Sequence, residues 1–97
     1  MITQACVIVL GDVTDSERED IESVIREHAI GCWHELTNVW IAGGHSHSFW
    51  LETIEPILSG GGSEFLALAL PKSGRGFSGY MVDVDKKMRW LHQNYIS

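Results

Sequence analysis

Two short runs of hydrophobic residues predict buried strands near the two ends of the chain. Residues 5–10 read ACVIVL, a run rich in β-branched side chains, which is typical of a strand buried on both faces. The second run is EFLALALP at residues 64–71, in which Phe65 to Leu70 contains no polar side chain. We therefore expect both runs to occupy the two central positions of one sheet.

A periodic stripe after the first run predicts an amphipathic helix over residues 16–30. Asp15 or Ser16 supplies the N-cap, and Ser16 with Glu19 has the spacing of a capping box. Gly31 follows the last periodic position and suits the end of a helix. The apolar residues of the stripe recur at three- and four-residue steps: Ile21, Val24, Ile25 and Ala29.

Residues 32–43 combine strand-forming side chains with a turn near their middle. We expect strands at 32–36 and 39–43, joined by a tight hairpin at Thr37 and Asn38. One long strand over the same residues is the alternative.

A second helix is expected over residues 47–59, capped by Ser46 or Ser48. Pro56 removes a backbone donor from it, so its last turn is expected to bend or stop early. The sequence SGGGS at 59–63 then predicts a flexible turn rather than a linker between domains.

The C-terminal third predicts a loop, a short strand and a last helix. KSGRGFSG at residues 72–79 is rich in glycine, YMV at 80–82 fits an edge strand, and Asp83 or Asp85 caps a helix to about Tyr95. The whole chain, residues 1–97, is thus predicted to be one α+β domain. Its expected fold is a ferredoxin-like βαββαβ sandwich, with helices on one face of a four-stranded antiparallel sheet, plus a C-terminal helix.

The net negative charge of the chain limits the kinds of partner that it can bind. The chain has seven Lys and Arg against thirteen Asp and Glu, a formal charge of −6 at pH 7. Nucleic-acid binding is therefore not favoured, although the basic residues of the C-terminal third leave it open. The acidic first helix is either a solvated face or a contact for a protein partner.

Cysteine content and hydropathy bear on the compartment. Cys6 and Cys32 do not form a CxxC pair, and two free thiols favour a reducing, cytoplasmic location. We expect neither a signal peptide nor a membrane partner, because the sequence has no apolar stretch of membrane-spanning length.

The stretch from Trp33 to Ile41, W-H-E-L-T-N-V-W-I, resembles W-x-x-L-x-S-x-W-x-[IV] in small bacterial proteins called SinR-like. Those proteins are distant relatives of the second core CRISPR-associated protein, a small ferredoxin-fold nuclease of spacer acquisition. The C-terminal part is similar too, with Gly76-Phe77-Ser78 followed by Trp90-Leu91 and Asn94. The resemblance implies a homodimer and a role in a defence or mobile-element system.

The same resemblance assigns a role to Asp12. The nuclease family places an Asp near the end of the first strand, where two copies meet across the dimer and hold a divalent metal. Asp12 is the residue that matches, although the family has an aromatic residue where this chain has Gly11. The resemblance therefore implies that Asp12 is a catalytic, metal-binding residue and that Mg²⁺ or Mn²⁺ is the cofactor. The alternative is a turn residue that caps local backbone.

Other candidate chemistry is weaker. His45 and His47 form a His-x-His pair that suits zinc or nickel if a third ligand is near, such as His34. The alternative is a polar loop at a helix start. Residues 74–79 spell GxGxxG, but too little chain follows them for a dinucleotide-binding βαβ unit.

Four tryptophans are many for a chain of 97 residues. Base stacking is one use for them, but packing in the core or at a dimer interface is the favoured interpretation. Trp40 is expected at an interface because its strand looks edge-like, together with Trp33 and Trp90. The sequence thus predicts a dimeric, non-catalytic interaction or regulatory module, with a metal-dependent nuclease centred on Asp12 as the alternative.

Overall fold

A computed structural model describes residues 4–58, residues 62–70 and residue 89. The predictions for the GxGxxG loop, the strand at 80–82, the last helix and Trp90 lie outside these residues. The described elements are, in chain order, β1 (Ala5–Leu10), α1 (Asp15–His28), β2 (Cys32–Leu36), β3 (Val39–Gly43), α2 (His47–Ile54), a 3₁₀ turn (Glu55–Ile57) and β4 (Phe65–Ala69). They confirm a mixed α+β architecture and the predicted bounds of β1 and of the hairpin β2–β3.

The four strands form one antiparallel sheet in the order β2-β3-β1-β4. Strand β1 is an inner strand, as expected, because Val7 pairs with Ile41 on β3 and with Leu68 on β4. Within the described part of the chain, β4 does not take the second central position that the sequence predicts for it. Among the described residues β4 is the outer strand, and β3 takes the second inner position.

Both helices pack against one face of this sheet. Alternate residues of β1 and β3 lie in a common core with residues from α1 and α2, because successive side chains on a strand point to opposite faces. The buried members of this core are Cys6, Ile8, Leu10, Ile21, Ile25, Trp40, Ala42, Trp50 and Ile54. The periodic apolar residues of the sequence thus make the contact that holds the helices on the sheet.

The start of α1 differs from the sequence prediction. Thr14 is the N-cap: its hydroxyl accepts from the Glu17 N–H at 3.1 Å, and the Glu17 carboxylate accepts from the Thr14 N–H at 2.8 Å. Neither Asp15 nor Ser16 caps the helix, although Ser16 has the same spacing to Glu19. Glu17 also accepts a bond from Ser63 at 2.7 Å, a contact distant in sequence that favours the earlier box.

Both helices end earlier than predicted. Helix α1 stops at His28 with Ala29 in an extended conformation, and Gly31 has a φ of 80°. Helix α2 is capped by Ser46, one of the two expected residues, and stops at Ile54. Pro56 lies in the 3₁₀ turn that follows, which confirms the expected early stop. Of the described helices, none has the length and apolar character that crossing a bilayer requires.

Candidate functional site

The sheet face opposite the helices carries exposed leucines at its β4 side. Leu66 is 53% exposed and Leu68 is 50% exposed. In the sheet register Val7 lies beside Leu68 and Val9 lies beside Leu66. These four side chains form one apolar patch, which we call the β4 face. Ile41 on β3 is only 8% exposed, so the exposure is concentrated toward the outer strand.

The backbone of β4 has a defined inner and outer side. The Gly11 N–H donates to the Glu64 carbonyl at 2.8 Å, and the Leu70 N–H donates to the Ala5 carbonyl at 2.9 Å. In an antiparallel ladder the residues that bond to one neighbour alternate with those that face away. The residues whose N–H and C=O groups point away from β1 are therefore Phe65, Ala67 and Ala69.

Within the part of the chain that the structure describes, the outer edge of β4 carries none of the features that commonly protect an edge strand from pairing. Natural edge strands are commonly shielded by charged residues, proline or a bulge. The span Phe65–Ala69 reads FLALA, without a charge or a proline, and its pairing with β1 runs in continuous register. An apolar outer strand with continuous register is competent to pair with another strand.

Asp12 lies at the other candidate site, just after the end of β1. It is exposed and borders an open depression of about 340 Å³, lined also by Val13, Thr14, Gly62 and Ser63. Asp12 is the one carboxylate among these lining residues. A divalent cation needs several oxygen ligands, so the depression of a single copy offers an incomplete metal site.

The two histidines of the His-x-His pair have different surroundings. The Nε2 atom of His45 lies 2.9 Å from the His28 carbonyl oxygen, so Nε2 must carry the proton that it donates. The His45 ring also stacks on Phe49, with centroids 3.8 Å apart, whereas His47 is exposed. Among the described residues, no three His, Cys, Asp or Glu side chains are grouped to hold a metal ion.

Three tryptophans are buried within the monomer. Trp33, Trp40 and Trp50 are 4%, 1% and 0% exposed. The expectation that Trp40 sits in an edge-like strand is wrong, because β3 lies between β2 and β1. Its ring packs in the core and stacks on His34, with centroids 4.0 Å apart. Neither Trp33 nor Trp40 presents a free ring to a partner or a base in this conformation.

The thiols are not activated. Burial raises the pKa of Cys6. Burial also raises the pKa of Cys32 to about 11, an effect that nearby Arg26 opposes and Glu22 reinforces. A thiol with such a pKa is almost entirely protonated at neutral pH and is a poor nucleophile.

Comparison with known proteins identified no relative of this chain. No protein-family model, curated protein or solved structure matches the chain. The function is therefore inferred from the structure alone. Among the described residues, the β4 face is the main candidate for an interaction surface.

The exposed leucines of β4 are what the sequence reasoning missed. The continuous apolar run of β4 predicts burial on both faces. One signal is present in the sequence: leucine and alanine alternate over residues 66–69, which places Leu66 and Leu68 on one face and both alanines, with Phe65, on the other.

Proposed function

We propose that this chain is a homodimeric, non-catalytic interaction module whose two copies join at β4. The observation that carries the proposal is the outer strand itself, with two half-exposed leucines and an unshielded apolar edge. Contact at this strand removes leucine surface from water, which contributes about 1 kcal/mol for each half-exposed side chain. Exposed apolar clusters rimmed by polar residues commonly mark interaction sites.

We also propose that the domain is a ferredoxin-like sandwich and a relative of the SinR-like proteins. The βαββαβ order of the described elements supports the fold assignment, as do β1 and β3 as inner strands. The stretch that carries the resemblance, Trp33 to Ile41, starts in β2, and its last three residues lie in β3. A role in a defence or mobile-element system follows from that resemblance alone.

The acidic face of α1 is the proposed contact for a further protein with a basic surface. Ile21 and Ile25 turn toward the core, and apart from the buried Glu17 most carboxylates of α1 lie on the outer side. Asp15, Glu19, Asp20 and Glu27 are exposed there. A patch of one sign steers partners of the opposite sign and makes their binding dependent on salt.

A divalent-metal-dependent nuclease is the second candidate. It is favoured by one observation, the exposed position of Asp12 beside an open depression at the end of β1. Because that depression offers one carboxylate, the mechanism needs Asp12 from a second copy close by. Cleavage of nucleic acid with Mg²⁺ or Mn²⁺ that is lost in Asp12→Asn would favour this candidate over the first.

Light scattering on matched lysine variants tests the main proposal. Leu68→Lys places an ammonium group on the β4 face, and Leu51→Lys is the control, since Leu51 is 48% exposed but lies on α2. A lysine on an edge strand discourages pairing with another strand, and this one also replaces the apolar cross-strand contact at position 68. We expect wild type and Leu51→Lys at twice the monomer mass and Leu68→Lys at the monomer mass. A monomeric wild type, or a dimeric Leu68→Lys, contradicts the proposal.

A further inference from the structure

We propose that two copies pair edge to edge, with β4 antiparallel to β4 of the partner subunit about a two-fold axis at Ala67. The result is a continuous sheet that joins the four described strands of each copy. This inference rests on the proposed dimer and specifies its register, which the dimer alone does not fix. It follows from the directions of the backbone groups on β4 and from the positions of its leucines.

The backbone groups favour this register. The outward-facing residues of β4 are Phe65, Ala67 and Ala69, as the bonds from Gly11 and Leu70 to their partners establish. An axis at Ala67 pairs Ala67 with the partner's Ala67 and Phe65 with the partner's Ala69. Every outward N–H and C=O group of β4 then forms a hydrogen bond with the β4 strand of the other copy.

Other registers leave groups unpaired. An axis at Leu68 sets Phe65 opposite the partner's Pro71, which has no N–H to donate. An axis at Leu66 sets Ala69 opposite the partner's Ser63, which lies outside the strand. The axis at Ala67 is the one that uses all five residues of β4 and no others.

Side chains and charge fit the same register. Leu66 then lies opposite the partner's Leu68 in a pair without mutual backbone bonds, where side chains approach most closely. These leucines are the half-exposed ones. Glu64, the nearest carboxylate, lies opposite the partner's Leu70 rather than the partner's Glu64. In a chain with a formal charge of −6, this charge-free strand is a suitable place for a second copy.

Cysteine cross-linking tests the register in a background that lacks Cys6 and Cys32, through Cys6→Ala and Cys32→Ala. Opposed residues without mutual backbone bonds have Cα atoms about 4.5 Å apart, within the range that a disulfide spans. We expect a mixture of Leu66→Cys and Leu68→Cys proteins to shift to twice the monomer mass on a non-reducing gel. Each protein alone should remain at the monomer mass, as should a mixture of Leu51→Cys and Leu68→Cys.

The outcomes separate the register from the dimer. If light scattering gives a dimer but Leu66→Cys or Leu68→Cys cross-links by itself, or the mixture does not cross-link, the register is wrong and the dimer stands. If the cysteine-free protein is a monomer while it keeps its fold by circular dichroism, both proposals fail. Pairing of residues 80–82 of the same chain with β4 would give one of these two negative results.

Discussion

At the scale of the residue, Glu17 shows how burial selects among similar side chains. Glu17 and Glu19 both lie early in α1, yet Glu17 is 4% exposed and Glu19 is exposed. One oxygen of its carboxyl group, Oε1, accepts bonds from both the Thr14 N–H and the Ser63 hydroxyl, and such bonds offset the cost of burying a polar group. It thereby ties the start of α1 to the segment that leads into β4.

Cys32 gives a pH dependence that follows from its burial. Burial raises its pKa from 9.0 to about 11 in the folded state, so the folded protein holds this proton where the unfolded chain has released it. The stability that Cys32 contributes is therefore full below pH 9 and is lost as pH rises toward 11. We expect the stability difference between wild type and Cys32→Ala to shrink over that range in urea unfolding. A difference unchanged from pH 8 to 10.5 contradicts the assignment.

At the scale of the element, the start of α1 allows a direct test of the capping box. Thr14 caps α1 and Ser16 does not, although both have a Glu three residues later. We expect Thr14→Ala to lower the free energy of unfolding by about 1 kcal/mol, within the usual range for an N-cap. Ser16→Ala, at an exposed position inside the helix, should change it by less than about 0.5 kcal/mol. The reverse order in chemical denaturation would restore the sequence prediction.

Elements defined by local signals were predictable. Strand β1 and the hairpin have the predicted bounds, and Ser46 and Pro56 act at α2 as expected. Each rests on residues close in sequence: β-branched runs, turn residues, a cap and a missing N–H. The cap of α1 was not predictable in the same way, because two boxes fit locally and the Ser63 contact with Glu17 comes from 46 residues away.

Strand order and exposure were less predictable for the same reason. Residues 65–70 contain no polar side chain, a pattern shared by inner strands and by outer strands that a partner covers. The position of β4 depends on its pairing with β1, a long-range contact that local sequence does not encode. The exposed apolar surface therefore lies at Leu66 and Leu68, whereas Trp33 and Trp40, which the sequence predicts at an interface, are buried.

At the scale of the whole molecule, the proposed pairing of β4 strands is incompatible with a metal site shared by two Asp12 residues. Asp12 follows Leu10 by two residues, and Leu10 pairs with Phe65 at the start of β4. With the two strands antiparallel about Ala67, the two Asp12 residues lie at opposite ends of the joined sheet. From about 3.4 Å per residue and about 4.8 Å between strands, their backbones are about 30 Å apart. Two carboxylates at that distance cannot share one metal ion.

The distance between spin labels at position 12 tests this account most directly. The protein carries Asp12→Cys in the background without Cys6 and Cys32, and each copy is spin-labelled at position 12. Pulsed electron paramagnetic resonance then measures the distance between the two labels. We expect a distribution centred near 30 Å, set by the antiparallel pairing of β4. A separation below about 15 Å, as a shared metal between two Asp12 side chains requires, or the absence of any dipolar coupling between copies, would contradict it.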